Sequence, residues 1–355
     1  MHARSCLLTA VLLWLAGSLS VSAAPTAAQR AKEEARAKET RQQQELAAAL
    51  HAVKAAESDK GQQDPSVADA LEALALLHQQ QDRPDQVEAL LVRAKEIRLA
   101  SLGAGDPQAA RSLRLLGKYY LDQRRLDEAE PLLKQALTWR QIAYDRDHPD
   151  VSESLGDMGV LYLLQEKYKE AEPFLKDAID QRSFLVDGDP AELATLLNYL
   201  GSLYVKQLRY PEAIPLCERA LAIDEKTLGK NHPEVATDVN NLAVLYHAAG
   251  RSRDAERLYL RSKAIEEKTL TPNHPDLVET LSQLASLYSQ QKRYQESEQM
   301  YRQALAKGRV SLGDRNPQVI ELAKEYAALL KSLGRMEEAR VIERQIAPIP
   351  AQTGR

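Results

Sequence analysis

The sequence has 355 residues, with 47 Lys and Arg against 51 Asp and Glu, 44% hydrophobic residues, 5% aromatic residues and two cysteines. So mild an acidic balance leaves no footprint for nucleic acid or an anionic membrane surface, and so few aromatic and β-branched runs leave no segment that favours a strand. The length would hold two or three ordinary domains, unless the chain is built from repeats that grow in one dimension without a central core.

The opening, MHARSCLLTAVLLWLAGSLSVSAAPTA, has a basic start at Arg4, an apolar run from Cys6 to Ala16, and small residues at Val21-Ser22-Ala23 before Ala24 and Pro25. This is the pattern of an export signal, with cleavage expected after Ala23. The run is too short for a comfortable membrane span. Cys6 precedes it, which is not where a lipid-modified cysteine sits, so residues 1–23 predict a soluble exported protein, periplasmic or extracellular, with no membrane insertion after cleavage. Only Cys217 would then remain, so no intrachain disulfide can form, and the chain would keep 46 basic against 51 acidic residues.

Residues 26–58 are rich in Ala, Glu, Lys, Arg and Gln, the composition of a long solvated helix. Gly61 stands one repeat before Gly103, so residues 24–61 predict an N-terminal helix whose second half packs as a degenerate capping half-repeat.

From there a period of forty-two takes over. Asp64-Pro65, Asp106-Pro107, His148-Pro149, Asp189-Pro190, His232-Pro233, His274-Pro275 and Asn316-Pro317 recur at that spacing, with one local deviation at Pro190. The column Ala75, Gly117, Gly159, Gly201, Ala243, Ala285, Ala327 never admits a large side chain. Three residues later stand His78, Tyr120, Tyr162, Tyr204, Tyr246, Tyr288 and Leu330, and a second set of small residues runs through Ala129, Ala171, Ala213, Ala255 and Ala339. Two helices per unit, touching through small residues, follow. Proline suits the first turn of each first helix, and polar turns such as Ala249-Gly250-Arg251 lead into each second helix. Residues 62–346 therefore predict seven helix pairs. Residues 347–355, APIPAQTGR, are too short and proline-rich to be more than a tail.

These columns resemble the tetratricopeptide repeat, and the HP-x-V-A-x-x-x-N-N-L-A-x-L-Y phrase at His232–Tyr246 resembles the kinesin light chain subclass with its forty-two-residue unit. The resemblance implies an all-α, right-handed superhelical solenoid whose first helices line a concave groove for short peptide segments. It does not imply a motor, because an export signal is incompatible with cargo carried in the cytosol.

At 100° per residue Val239, Leu242, Ala243 and Tyr246 share one side of a first helix, the core side, while Asn240, Asn241, Val244 and His247 face away toward the groove. The same stripe gives Arg111, Arg114 and Lys118 in the second unit, Asp157 beside Gly156 in the third, and Asn198, Tyr199 and Ser202 in the fourth. An asparagine amide both donates and accepts, so it can pair with the backbone of an extended peptide whatever its side chains. The resemblance assigns Asn198, Asn240 and Asn241 to positions that contact peptides. Arg114 and Lys118 are expected to hold a carboxylate of the partner.

No catalytic constellation is visible: no Gly-rich phosphate loop, Cys-x-x-Cys, His-Glu-x-x-His or Gly-x-Ser-x-Gly. His148, His232 and His274 sit one repeat apart and cannot converge on one metal ion, and Cys217 shares a column with Leu133, Leu175 and Tyr259, a packing position. No cofactor and no metal are expected. The sequence thus points to a non-enzymatic scaffold that binds a protein segment of unknown identity. The alternative is an assembly element that self-associates through the N-terminal helix or by end-to-end stacking, although only Leu46, Leu50 and Val53 form an apolar stripe there.

Overall fold

A computed structural model describes residues 27–81, 83–184 and 189–346, so the leader at 1–23 and the tail at 347–355 lie outside the described residues. The described residues form fifteen helices and no strand. They fall into two compact units, residues 1–104 and 105–355.

The first unit holds α1 (Ala27–Lys60), α2 (Pro65–Gln80) and α3 (Pro84–Leu102). Its core is Val67, Ala68, Leu71, Leu74, Ala94 and Ile97, and α1 contributes Val53, with Leu46, Ala49 and Ala56 packed alongside. Most of the apolar stripe of α1 is therefore spent inward, against its own unit. Residues 36–41 of the same helix are exposed. Arg98 on α3 is fully buried and donates to Glu72 Oε1 of α2 at 2.8 Å, with Asp69 as a second partner.

The second unit consists of six helix pairs: α4 (Pro107–Asp122) with α5 (Leu126–Ala143), α6 (Pro149–Leu164) with α7 (Tyr168–Phe184), α8 (Pro190–Lys206) with α9 (Tyr210–Thr227), α10 (Pro233–Ala248) with α11 (Ser252–Thr269), α12 (Pro275–Gln290) with α13 (Tyr294–Leu312), and α14 (Pro317–Ser332) with α15 (Met336–Ile346). Each helix packs on the next in sequence, and the first helices α4, α6 and α8, like α10 and α12, also approach one another directly.

Why each first helix starts where it does is a matter of capping. The residue before proline is held extended, and its side chain accepts the N–H two residues on, one of the donors a helix start leaves unpaired. Asp64 Oδ1 accepts from Ser66 N at 2.9 Å and Asn316 Oδ1 from Gln318 N at 2.9 Å. The histidines use the same geometry: Nδ1 of His148, His232 and His274 accepts from Asp150, Glu234 and Asp276 N at 3.2, 3.3 and 3.2 Å. They are caps, not metal ligands.

The small-residue column sets the closeness of each pair. A Cβ added to Gly117 would stand 2.8 Å from Leu133 Cδ2, one on Gly159 2.6 Å from Leu175 Cγ, and one on Gly201 2.8 Å from Cys217 Sγ. Leu133 and Leu175 are buried, and Cys217 is half-buried with its thiol pushed up to about 11 by burial and by Asp238, the state of a packing group rather than a nucleophile.

A polar clasp closes each turn. The arginine that opens a second helix lies over the tyrosine that closes the first: Arg209 over Tyr204, Arg251 over Tyr246, and Arg293 over Tyr288, at 4.1, 4.3 and 4.1 Å. Two of these arginines, and Arg335 at the corresponding position of the last pair, reach back to the preceding pair, Arg209 to Glu172 at 2.9 Å, Arg293 to Glu256 at 2.7 Å and Arg335 to Glu298 at 2.6 Å. Ile214 stands where that glutamate would be for Arg251, and there the Tyr246 hydroxyl donates instead to Glu218.

The residue just before these arginines adopts a left-handed backbone in every turn from Arg124 on. Gly250 and Gly334 do so at φ 75° and 77°, whereas Arg124, Glu166, Leu208 and Lys292 do so at φ 59–61° with a side chain that disfavours it. Leu208→Gly is expected to raise unfolding stability by about 0.5–1 kcal/mol, the relief of strain exceeding the entropy gained by the unfolded chain. Gly201→Leu should lower it by at least about 1–3 kcal/mol, because the added side chain meets Cys217. Urea melts of the two variants beside the wild type would check both signs.

Candidate interaction groove

In each first helix the residues toward the paired second helix are buried, and the remainder divides in a way the sequence did not show. On α10, Val235, Ala236, Val239, Leu242, Ala243 and Tyr246 are core, while Thr237, Asn241 and Val244 are exposed. Asn240, expected to face the open groove with Asn241, is instead buried at 8% exposure. Its Oδ1 accepts from the Thr280 hydroxyl of α12 at 3.4 Å. The reason is that consecutive first helices touch, so one flank of the outward stripe is an interhelical contact. The asparagine pair is thereby split: Asn240 ties α10 to α12, and Asn241 stands open.

Asn198 is half-buried, and its Nδ2 donates to Asp238 Oδ1 at 3.3 Å. Tyr199 is half-buried and Ser202 exposed. His247 Nε2 pairs with Gln290 Oε1 at 2.9 Å, and its ring meets Tyr259 edge-on at 6.4 Å.

The basic stripe requires a correction. Arg114 was expected to hold a partner's carboxylate, but its carboxylates come from the chain itself. At 8% exposure it pairs with Glu153 at 2.8 Å, and its Nε donates to Asp157 Oδ2 at 2.5 Å. Asp157, named as a groove residue, is buried at 7% as the other half of this pair. Burial pulls the Arg114 guanidinium down, yet Asp157 and Glu153 outweigh it and hold it fully charged. Lys118 stays half-exposed, 3.6 Å from Asp122 on its own helix, and Arg111 is exposed.

Around this pair lies a cavity of about 180 Å³ whose wall includes Arg114, Lys118, Gly156, Val160, Thr195 and Tyr199. Gly156 keeps it open, since a Cβ there would stand 2.8 Å from Leu196 Cδ2. A second cavity of about 390 Å³ lies between α8, α9 and α10 and includes Asn198, Thr237 and four carboxylates, Asp189, Asp224, Glu234 and Asp238.

Beneath the groove runs a set of buried polar residues that the sequence reading passed over. Late in three of the second helices, one residue meets the residue fourteen positions on, in the next first helix. Arg140 Nη1 donates to Ser154 Oγ at 2.9 Å and to the Asp150 carbonyl at 2.8 Å. Asp224 and Asp238 line one cavity and act on each other electrostatically, and Glu266 Oε1 accepts from Thr280 at 2.9 Å. Arg182, in the same column, pairs with Glu192. The signal was present in the forty-two-residue column Arg98, Arg140, Arg182, Asp224, Glu266, which is charged in five successive units.

With this geometry established, the comparisons assign the fold to a family. The tetratricopeptide repeat model matches residues 66–138, 116–183, 192–268, 238–309 and 276–349. The chain belongs to the tetratricopeptide repeat family. Its repeats are of the kinesin light chain-like kind. A putative kinesin light chain of Podosopora anserina with nearly identical TPR-like repeats superposes with a TM-score of 0.52 at 24% identity, over 58% of this chain and 98% of that one. BtubC (BKLC) from P. vanneervenii gives 0.51 at 19% over 70% and 97%, and PilW, described as a type IV pilus biogenesis factor, gives 0.52 at 17% over 70% and 96%. No curated protein matches significantly. Such a tetratricopeptide fold is a protein–protein interaction scaffold, and among the described residues no helix is long and apolar enough to cross a membrane.

Arg114→Ala is expected to cost about 3–5 kcal/mol of stability, because it leaves the buried Asp157 without its cation, while Glu153 keeps Arg140. Urea unfolding at pH 7 measures this cost, and a loss below about 1 kcal/mol would mean that the pair is solvated rather than structural.

Proposed function

We propose that this tetratricopeptide protein is a non-enzymatic scaffold of the cell envelope that binds an extended segment of a partner protein along its first helices. The observation that carries the reading is the spacing of polar and apolar groups left open on that face. Asn241 and Ser202 are exposed, Val244 one turn from Asn241 is 38% exposed, and Tyr199 and Val160 wall the cavity around Arg114. Amides and hydroxyls can pair with a peptide backbone while the apolar groups take its side chains. Lys118, half-exposed and 3.6 Å from Asp122, is the cation at hand for an acidic residue of the partner, Arg114 being committed to Asp157 and Glu153.

The envelope assignment is supported by the leader-like pattern at residues 1–23, a basic start, an apolar run and a small-residue cleavage site. Against catalysis, the described residues gather no nucleophile–base pair in a cleft. Arg209, Arg293, Arg335 and Glu172, among the titratable groups that depart furthest from their ordinary values, do so through the ion pairs of the turns.

The test is capture of partners from the envelope fraction by the wild-type chain and by an Asn198→Ala/Asn241→Ala double variant. Asn241 is the right second position, since Asn240→Ala would also remove the contact with Thr280. Loss of about 1–3 kcal/mol of binding with unchanged helicity is the expected result. An undiminished partner would move the binding surface away from this face.

A further inference from the structure

Of the buried contacts that join one pair to the next, one is unlike the rest. Arg140 meets a serine and a backbone carbonyl, Arg182 meets Glu192, and Glu266 meets the hydroxyls of Ser262 and Thr280. Each of these sets opposite charge against charge or a donor against a carboxylate. At the α9–α10 contact the same register places Asp224 against Asp238, acid against acid. Among the groups around them only the Asn198 amide, which donates to Asp238, offers relief. From α8 come Asp189 and the Asn198 amide, from α9 the Cys217 thiol, and from α10 Glu234, and neither lysine nor arginine lines the cavity into which the two carboxyls open. Two carboxyls that act on each other in this way cannot both be ionised without strong repulsion, whereas one proton between them turns the contact into a bond.

We propose that Asp224 and Asp238 form a proton switch at the α9–α10 seam: one shared proton holds the seam closed, and its loss sets two facing charges against the packing beneath Asn198. Burial, followed by the neighbouring Asp224, pushes Asp238 up to about 7, and burial raises Asp224 as well. The sign follows. An unfolded aspartate releases its proton near pH 4, so the folded chain holds a proton that the unfolded chain has lost across roughly pH 4–7. The contribution to stability is complete below that range and is gone above it. A consequence for binding rests on the groove reading. Asn198 Nδ2 donates to Asp238 Oδ1, and an ionised Asp238 grips that N–H harder than a protonated one, so a partner competes for the Asn198 amide more easily on the acid side.

The experiment needs no partner, so its failure and that of the groove reading are distinguishable. Melting temperatures of the full chain are measured from pH 5 to pH 8 for the wild type, Asp238→Asn and Asp224→Asn, with amide hydrogen exchange followed at the two ends of the seam. In either variant an amide can donate to the remaining carboxylate at every pH, so two independent substitutions guard against one that simply fails to fold. Relative to both variants, the wild type is expected to lose about 2–4 °C over that range, with exchange quickening in residues 224–238 above pH 7. A wild-type curve parallel to both variants, or exchange in that segment quickening with pH no more than it does in both variants, would overturn the proposal.

Discussion

Each helix pair depends on one steric fact: one residue of the first helix must be small enough for a second-helix side chain to lie on its backbone. Leu133 over Gly117, Leu175 over Gly159 and Cys217 over Gly201 leave no room for even a Cβ without movement. Interiors are close-packed, so an intrusion of one methyl group at such a point is felt across the pair. Once this contact fixes the rotation of a first helix, everything else about it is decided. One side belongs to the partner helix, and the proline-capped start and the clasped turn set its two ends.

The second level of order is polar. Between pairs, Arg140, Arg182, Asp224 and Glu266 each meet the next first helix, ten to fourteen positions on, and the Arg–Tyr–Glu clasps close the turns. Buried charges of this kind add little net stability but penalise wrong registers severely, since a slip would leave a charge without its partner. Arg114 with Asp157 and Glu153 belongs to this order rather than to a binding surface. Its charge is consumed in holding α4 to α6. The Asp224–Asp238 contact lies in the same register, which explains how an unfavourable pairing is held in place by favourable ones on either side.

What this division leaves for a partner is narrow. The exposed strip on the first helices carries Asn241, Val244 and Ser202, with Asn198, Tyr199 and Lys118 at its margins. These are groups that can bond to any backbone and cover apolar side chains, as a tetratricopeptide scaffold requires. The amides that look alike in sequence have different work. Asn240 is a tie between helices, and Asn241 is open.

The sequence by itself determined the repeat, its forty-two-residue length, the all-helical class, the helix starts at proline, and the core columns, because each follows from local propensity and a period that a single helix imposes. It determined equally that His148, His232 and His274 belong to turns, where the structure makes them caps. Only the tertiary structure decided which outward residues are free. A helical wheel divides a helix into a buried and an open side, but it contains no neighbour. The approach of successive first helices buries one edge of the open side, which is why Asn240 and Arg114 fell on the wrong side of the line. Asp238 shows the same limit most plainly. Its column reads Ser112, Ser154, Leu196, Asp238, Thr280, Leu322, and a lone acid there acquires its meaning only when Asp224, fourteen residues earlier in the chain, is folded against it.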